Sequence, residues 1–197
     1  MADNASFMQY FGESIRLLRA TQPGPWLEDF DQHPDVSYAF QAHGLSCEIR
    51  RVMDLNFNGY VRLPPQHPLS RLPKNQRQQV KDDFSVIGGV TQIKEEEDGS
   101  TVWGFDTALG IKPLDLALQK QPIPQPGSRG YMFYGYQETK DETTQLAAQL
   151  AAWAQSTGDW DSSLPAAASL PVIHQEDSVI VTRDALDHGL LHPHHAS

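Results

Sequence analysis

The sequence predicts an α+β fold. Residues 1–158 read as a single core domain, a four-stranded, mostly antiparallel sheet packed by two or more helices. Residues 159–197 read as an extended C-terminal tail. Three observations carry this prediction. Apolar residues recur at helical spacing near the start and again after residue 140. Between Ser46 and Thr107 the pattern changes to period two, broken by turn residues. From Asp159 onward the composition shifts to Ser, Pro, Ala and His, which suits linker material.

Each element has its own warrant. Phe7, Phe11, Ile15 and Leu18 share one face of a helix over 6–20, capped by Asn4 or Ser6 and ended by Gln22-Pro23-Gly24-Pro25. Residues 26–44 look irregular, with Asp35 capping a short helix through Ala42 that stops at Gly44. Ser46 to Asp54 is the first predicted strand, and Asn56-Phe57-Asn58-Gly59 a hairpin turn. Tyr60 to Leu63 is the second strand, ended by Pro64-Pro65, since proline cannot donate to a ladder. Residues 64–82 read as a polar loop with a helical turn near Asn75–Lys81. Ser85 to Lys94 is the third strand, with Gly88-Gly89 as a bulge or close backbone approach. The turn Glu97-Asp98-Gly99-Ser100 leads to the fourth, Thr101 to Thr107. A Pro- and Gly-rich loop covers 109–130. A last helix starts at Thr139 or Asp141, runs through Leu146, Leu150 and Trp153, and ends before Gly158. Its alanines favour helix and permit close packing on the sheet.

Composition sets outer bounds. The chain has 197 residues, 39% of them hydrophobic, and a formal net charge of -10, which argues against general binding to nucleic acid or acidic membrane. No apolar run approaches the ~20 residues of a membrane span. Met1-Ala2-Asp3-Asn4 lacks the basic and apolar regions of a secretory signal. The single cysteine, Cys47, reads as a small core residue and suits a reducing cytosol.

Charge is unevenly placed. Residues 46–81 hold Arg50, Arg51, Arg62, Arg71, Lys74, Arg77 and Lys81 against only Glu48 and Asp54. Residues 130–197 hold two cations, Lys140 and Arg183, against nine acids. A basic segment inside an acidic protein is a candidate anion site; its plainer reading is a solvated strand face.

The motifs Gly59-Tyr60-Val61 with Pro64, His67 and Pro68, Gly88-Gly89 with Thr91, and Trp103-Gly104-Phe105-Asp106 with Ala108 are followed by the helix from Glu142 to Trp153. Together they resemble a family of small, uncharacterised phage and prophage proteins, over about half the chain. The resemblance implies a phage setting and assigns no chemistry. The chain departs from the family pattern at Leu109, where relatives carry a histidine, and at Ile111, where they carry the acid of a Gly-Asp pair. Trp103 and Gly104 are also adjacent here, a one-residue change that alters which face the indole takes.

Three constellations could carry chemistry. His67 and Asp106 form the one acid–base pair of the matched core, as a base held by a carboxylate, without any nucleophile elbow. Its plainer reading is a hydrogen bond that fixes a loop. An anion could sit between Arg50, Arg62 and the Gly88-Gly89 amides, with Asp106 nearby and Tyr60, Trp103 or Phe105 stacking on a planar ligand. The plainer reading makes those aromatics the sheet's core. In the tail, His188, His192, His194 and His195 have chelating density, and His188 to His192 has i, i+4 spacing. No cofactor is expected, because no phosphate cradle opens a helix.

Three functional classes follow from these features. The first is a non-enzymatic phage accessory protein in the host cytoplasm that binds a small anionic ligand, such as a nucleotide, or a host protein. The second is a virion component whose tail contacts neighbouring subunits. The third is a small hydrolase built on His67 and Asp106. A free sheet edge could also pair two copies into a homo-oligomer.

Overall fold

A computed structural model describes residues 4–52, 55–122, 124 and 132–156. The architecture is α+β: five antiparallel strands with helices packed on the sheet. The N-terminal half supplies helix α1 (Asn4–Thr21), helix α2 (Pro25–Gln32) and strands β1 (Ser37–Ala42), β2 (Leu45–Arg51) and β3 (Phe57–Leu63). Short helices α3 (Pro68–Arg71) and α4 (Lys74–Val80) and a 3-10 turn (Lys81–Asp83) follow. Then come β4 (Gln92–Glu95), β5 (Thr101–Phe105), α5 (Pro113–Leu118) and α6 (Tyr136–Ser156). The strand order is β1-β2-β3-β5-β4, antiparallel throughout.

The fifth strand comes from the segment expected to be a short helix. Ser37-Tyr38-Ala39-Phe40-Gln41-Ala42 alternates exposed and half-buried positions. It pairs with β2 across His43-Gly44, both at positive φ (52° and 76°). That two-residue turn matches the twist of a hairpin, and long-range pairing overrides the weak local helix signal.

Other boundaries also moved. The chain reverses between β2 and β3 at Val52–Asn56, not at Asn56–Gly59, with Val52 N–H donating to Asn56 O and Leu55 at φ 69°. Gly59 is therefore inside β3. The expected strand from Ser85 is ordered as β only over Gln92–Glu95. Gly88 and Gly89 lie in a turn, at φ 69° and 78°, closed by Gly89 N–H on Val86 O. Helices α2 and α5 fall in segments read as irregular. Each begins with proline at its first positions, where the missing N–H costs nothing. The helical turn expected near Asn75–Lys81 is α4. The tail, including His188, His192, His194 and His195, lies outside the described residues.

Period two gives the sheet two unlike faces. Phe40, Cys47, Val61, Trp103 and Ile93 share one row, and Tyr38, Ile49, Gly59 and Phe105 another. This apolar face meets Leu146, Ala147, Leu150 and Ala151 of α6, forming the main core. A second cluster joins Ile15 and Leu18 of α1 to Trp26, Leu27, Leu55, Ile111 and Ala117.

The main core closes because Gly59 has no side chain. A Cβ there would lie 2.2 Å from Thr143 Oγ1 on α6 and 2.4 Å from the Phe105 ring. Both neighbours are buried and cannot retreat. Gly59→Ala should therefore destabilise the fold by about 1–3 kcal/mol through overpacking. Urea unfolding should show a lower midpoint with an unchanged slope; an unchanged midpoint would count against this packing.

Candidate functional site

The opposite sheet face is polar. Its rows are Gln41–Ser46–Arg62–Val102–Lys94, Ala39–Glu48–Tyr60–Gly104–Gln92, and Ser37–Arg50–Asn58. Arg50 donates to both Glu48 oxygens at 3.1–3.2 Å and lies over the Tyr60 ring at 5.3 Å. Gly104 opposes Tyr60 and leaves room for its ring, since a Cβ there would meet the ring at 2.6 Å. Arg62 Nη2 donates to Asp98 at 2.7 Å, while its Nη1 is buried with no hydrogen-bond partner among the described residues. The Asp98 carboxyl is held below its usual range, first by the Ser100 hydroxyl and amide and then by Arg62.

The face carries Arg50, Tyr60 and Arg62. Arg50 pairs with Asn58, however, four residues along β3 from Arg62 or roughly 14 Å. Arg50 thus borders Tyr60, and the two arginines do not converge on one anion as the sequence suggested. The face does not include Trp103. That side chain is fully buried on the apolar face, its indole N–H on Thr101 Oγ1 at 3.1 Å and its ring edge-on to Phe84. Phe105 is core as well. The Gly88-Gly89 turn belongs to a segment held by α6, with Ser85 N–H on Gln149 and Ile87 N–H on Glu142. Among the remaining cations of the basic segment, Arg51 and Arg77 are committed to ion pairs with Asp29 and Glu95.

His67 and Asp106 stand at opposite ends of one strand pair. His67 follows Leu63, which pairs with Thr101, whereas Asp106 follows Phe105, which pairs with Gly59. Four strand residues at about 3.4 Å each keep the two ends roughly 14 Å apart. Asp106 instead accepts from Ala108 N–H at 3.0 Å. His67 is fully buried and caps α3, its Nδ1 accepting from Leu69 N–H at 3.2 Å. Burial holds its pKa down at about 4, and a backbone hydrogen bond with Leu150 acts the other way. Cys47 is buried too, its thiol pushed up to about 12 by burial, so it is no ready nucleophile.

One cluster was missed from sequence. Asp29 on α2 accepts from both Arg51 Nη atoms (3.3–3.4 Å) and from Tyr136 N–H (2.7 Å) at the start of α6. Arg51 also donates to His33 O and Leu55 O, and its guanidinium lies 4.1 Å from the Phe57 ring centroid. Burial pushes the Arg51 pKa down while Asp29 pulls it back. His33 stacks on Tyr136 at 3.8 Å, with Tyr38 edge-on to both. The available signal was an arginine at a position whose strand neighbours point into the core, which demands a buried acid from elsewhere.

No group of three or more metal-ligating side chains occurs among the described residues, and no described helix is long and apolar enough to cross a membrane. No family model, curated protein or solved structure matches this chain.

Two measurements test these assignments. His67 is neutral when folded and has a lowered pKa, so its contribution is complete above about pH 6.5. It is lost as pH falls from there through about 4, by up to about 3 kcal/mol. His67→Asn, whose Oδ1 can replace the Nδ1 acceptor, should flatten that part of the stability–pH curve. Asp29→Ala strands the buried Arg51 and should cost about 3–5 kcal/mol by chemical denaturation; a loss below about 1 kcal/mol would show the pair to be dispensable.

Proposed function

We propose that this protein is a non-enzymatic binding protein, an accessory protein of the phage type that its motifs resemble. Its polar sheet face holds a small anionic ligand, with a nucleotide the class that best fits. The observation that carries this reading is Arg62. Its Nη1 is a buried donor with no described partner, and its Nη2 is paired only to Asp98, whose side chain is 56% exposed. Arg62 itself is 15% exposed while Asp98 is the exposed partner, so a phosphate or carboxylate approaching from solvent can take the place of Asp98 on the guanidinium. Tyr60, one row away, offers a ring beside the anion.

Catalysis is a poorer fit. The hydrolase alternative needs His67 to work with Asp106, and the strand register separates them. A base fully buried in the core also has no path to a substrate. The virion alternative turns on tail residues outside the described structure.

A thermal-shift panel of nucleotides, cyclic nucleotides and inorganic phosphate tests the reading. A ligand at about 100 Kd should stabilise the fold by about 2.7 kcal/mol, several degrees for this size. The shift should disappear in Arg62→Ala. A flat panel, or a shift that survives Arg62→Ala, would overturn the assignment.

A further inference from the structure

The sheet has two edges, and they are built differently. β4, at one end of the strand order, has four residues, Gln92-Ile93-Lys94-Glu95, and runs on into Glu96 and Glu97. Charges on so short a strand are a common protection against pairing with another chain. β1, at the other end, has six residues, Ser37-Tyr38-Ala39-Phe40-Gln41-Ala42. It carries no charge and no proline, and its register with β2 is unbroken. Its outer edge is free to hydrogen-bond. Arg51 N–H donates to Val36 O, so the backbone groups of Val36 face β2. Alternation turns those of Tyr38, Phe40 and Ala42 toward β2 as well, and points the N–H and C=O of Ser37, Ala39 and Gln41 outward. No described hydrogen bond uses these outward groups, and the three residues that carry them are exposed.

We propose that β1 pairs antiparallel with β1 of a second copy of this chain, about a two-fold axis through Ala39, joining two five-stranded sheets edge to edge. The strand is its own complement in this register. Ser37 and Gln41 lie evenly on either side of Ala39. The axis therefore sets Ser37 against the partner's Gln41, and Ala39 against the partner's Ala39. Every outward N–H then meets an outward C=O, and none is left over. The side chains match in the same way. Ser37 and the partner's Gln41 are opposed on the polar face. Tyr38 and the partner's Phe40 are opposed on the other face, at the non-hydrogen-bonded positions where side chains come closest. Ala39 is at the axis, where a larger side chain would meet its own copy. The chain has a net charge of -10, and the absence of charge from Ser37 to Ala42 lets two copies approach along this edge.

No ligand enters the test, so it stands apart from the nucleotide reading. The seam is short, and association through it belongs to the weak, reversible class. Sedimentation equilibrium of the full chain should show a mass rising from 22.0 kDa toward twice that value as concentration goes from about 1 to about 300 µM. Ala39→Lys sets two like charges at the axis, and Ala39→Pro removes an N–H that the single copy does not use. Each should weaken self-association at least about tenfold while the far-ultraviolet circular dichroism stays that of the parent. If neither variant folds, amide exchange in the unaltered protein decides the matter. The N–H groups of Ser37, Ala39 and Gln41 should then exchange at least about fivefold more slowly at the higher concentration. A single 22.0 kDa species at every concentration would overturn the proposal. So would a dimer undiminished in a folded variant, or exchange at those three amides that ignores concentration. Growth beyond a dimer would overturn it too, because a two-fold axis closes the assembly.

Discussion

The buried pair of Asp29 and Arg51 is the interaction on which the remaining structure depends. Arg51 is 2% exposed at the end of β2, so its charge is out of water and must be met within the fold. Asp29 meets it from α2, and the carbonyls of His33 and Leu55 take further guanidinium hydrogens. The second Asp29 oxygen accepts from the first N–H of α6, where the helix dipole favours a negative charge. One ion pair therefore fixes the position of α2, the β2–β3 turn and the start of the long helix. Without it, the two hydrophobic clusters would have no defined relation at this corner.

With α6 anchored there, its path over the sheet is set by small residues. Gly59 admits Thr143, and Ala147 and Ala151 bring the helix backbone close to β2 and β3. That close approach commits the apolar face of β2 and β3 to the helix. The alternation of strands then forces Arg50, Glu48, Tyr60 and Arg62 to the other. The candidate site is thus a consequence of core packing: the residues that cannot enter the core are gathered on a single surface. It also explains why Trp103 and Tyr60, both attractive ligand-stacking residues in sequence, have opposite roles. Tyr60 is on the polar rows, and Trp103 is paired with Val61 on the apolar ones.

The same logic separates what was legible from what was not. Period two within the β2 and β3 segments puts Arg50, Tyr60 and Arg62 on one face, but the register leaves Arg50 four residues along β3 from Arg62, a separation that no local pattern encodes. The pairing of His67 with Asp106 was a guess about distance, which no local pattern encodes. Their strands run antiparallel, and the register carries them to opposite ends. Gly88-Gly89 misled for a related reason. Two glycines in a β-prone stretch suit either a bulge or a turn, and contacts with Glu142 and Gln149 on α6, far along the chain, select the turn.

By itself, the sequence determined the α+β class, the helices α1 and α6, the strands β2, β3 and β5, and the concentration of cations between residues 46 and 81. These depend on the spacing of neighbouring residues, which local backbone geometry converts directly into a face. Only the tertiary structure decided that 37–42 is a strand, because its alternation becomes favourable only when β2 is beside it. Only the tertiary structure decided which cations are spent in ion pairs, since Asp29, Glu95 and Asp98 lie 18 to 36 residues from the arginines they meet. Long-range pairing depends on where the chain returns, and that is fixed by the packing of the whole core.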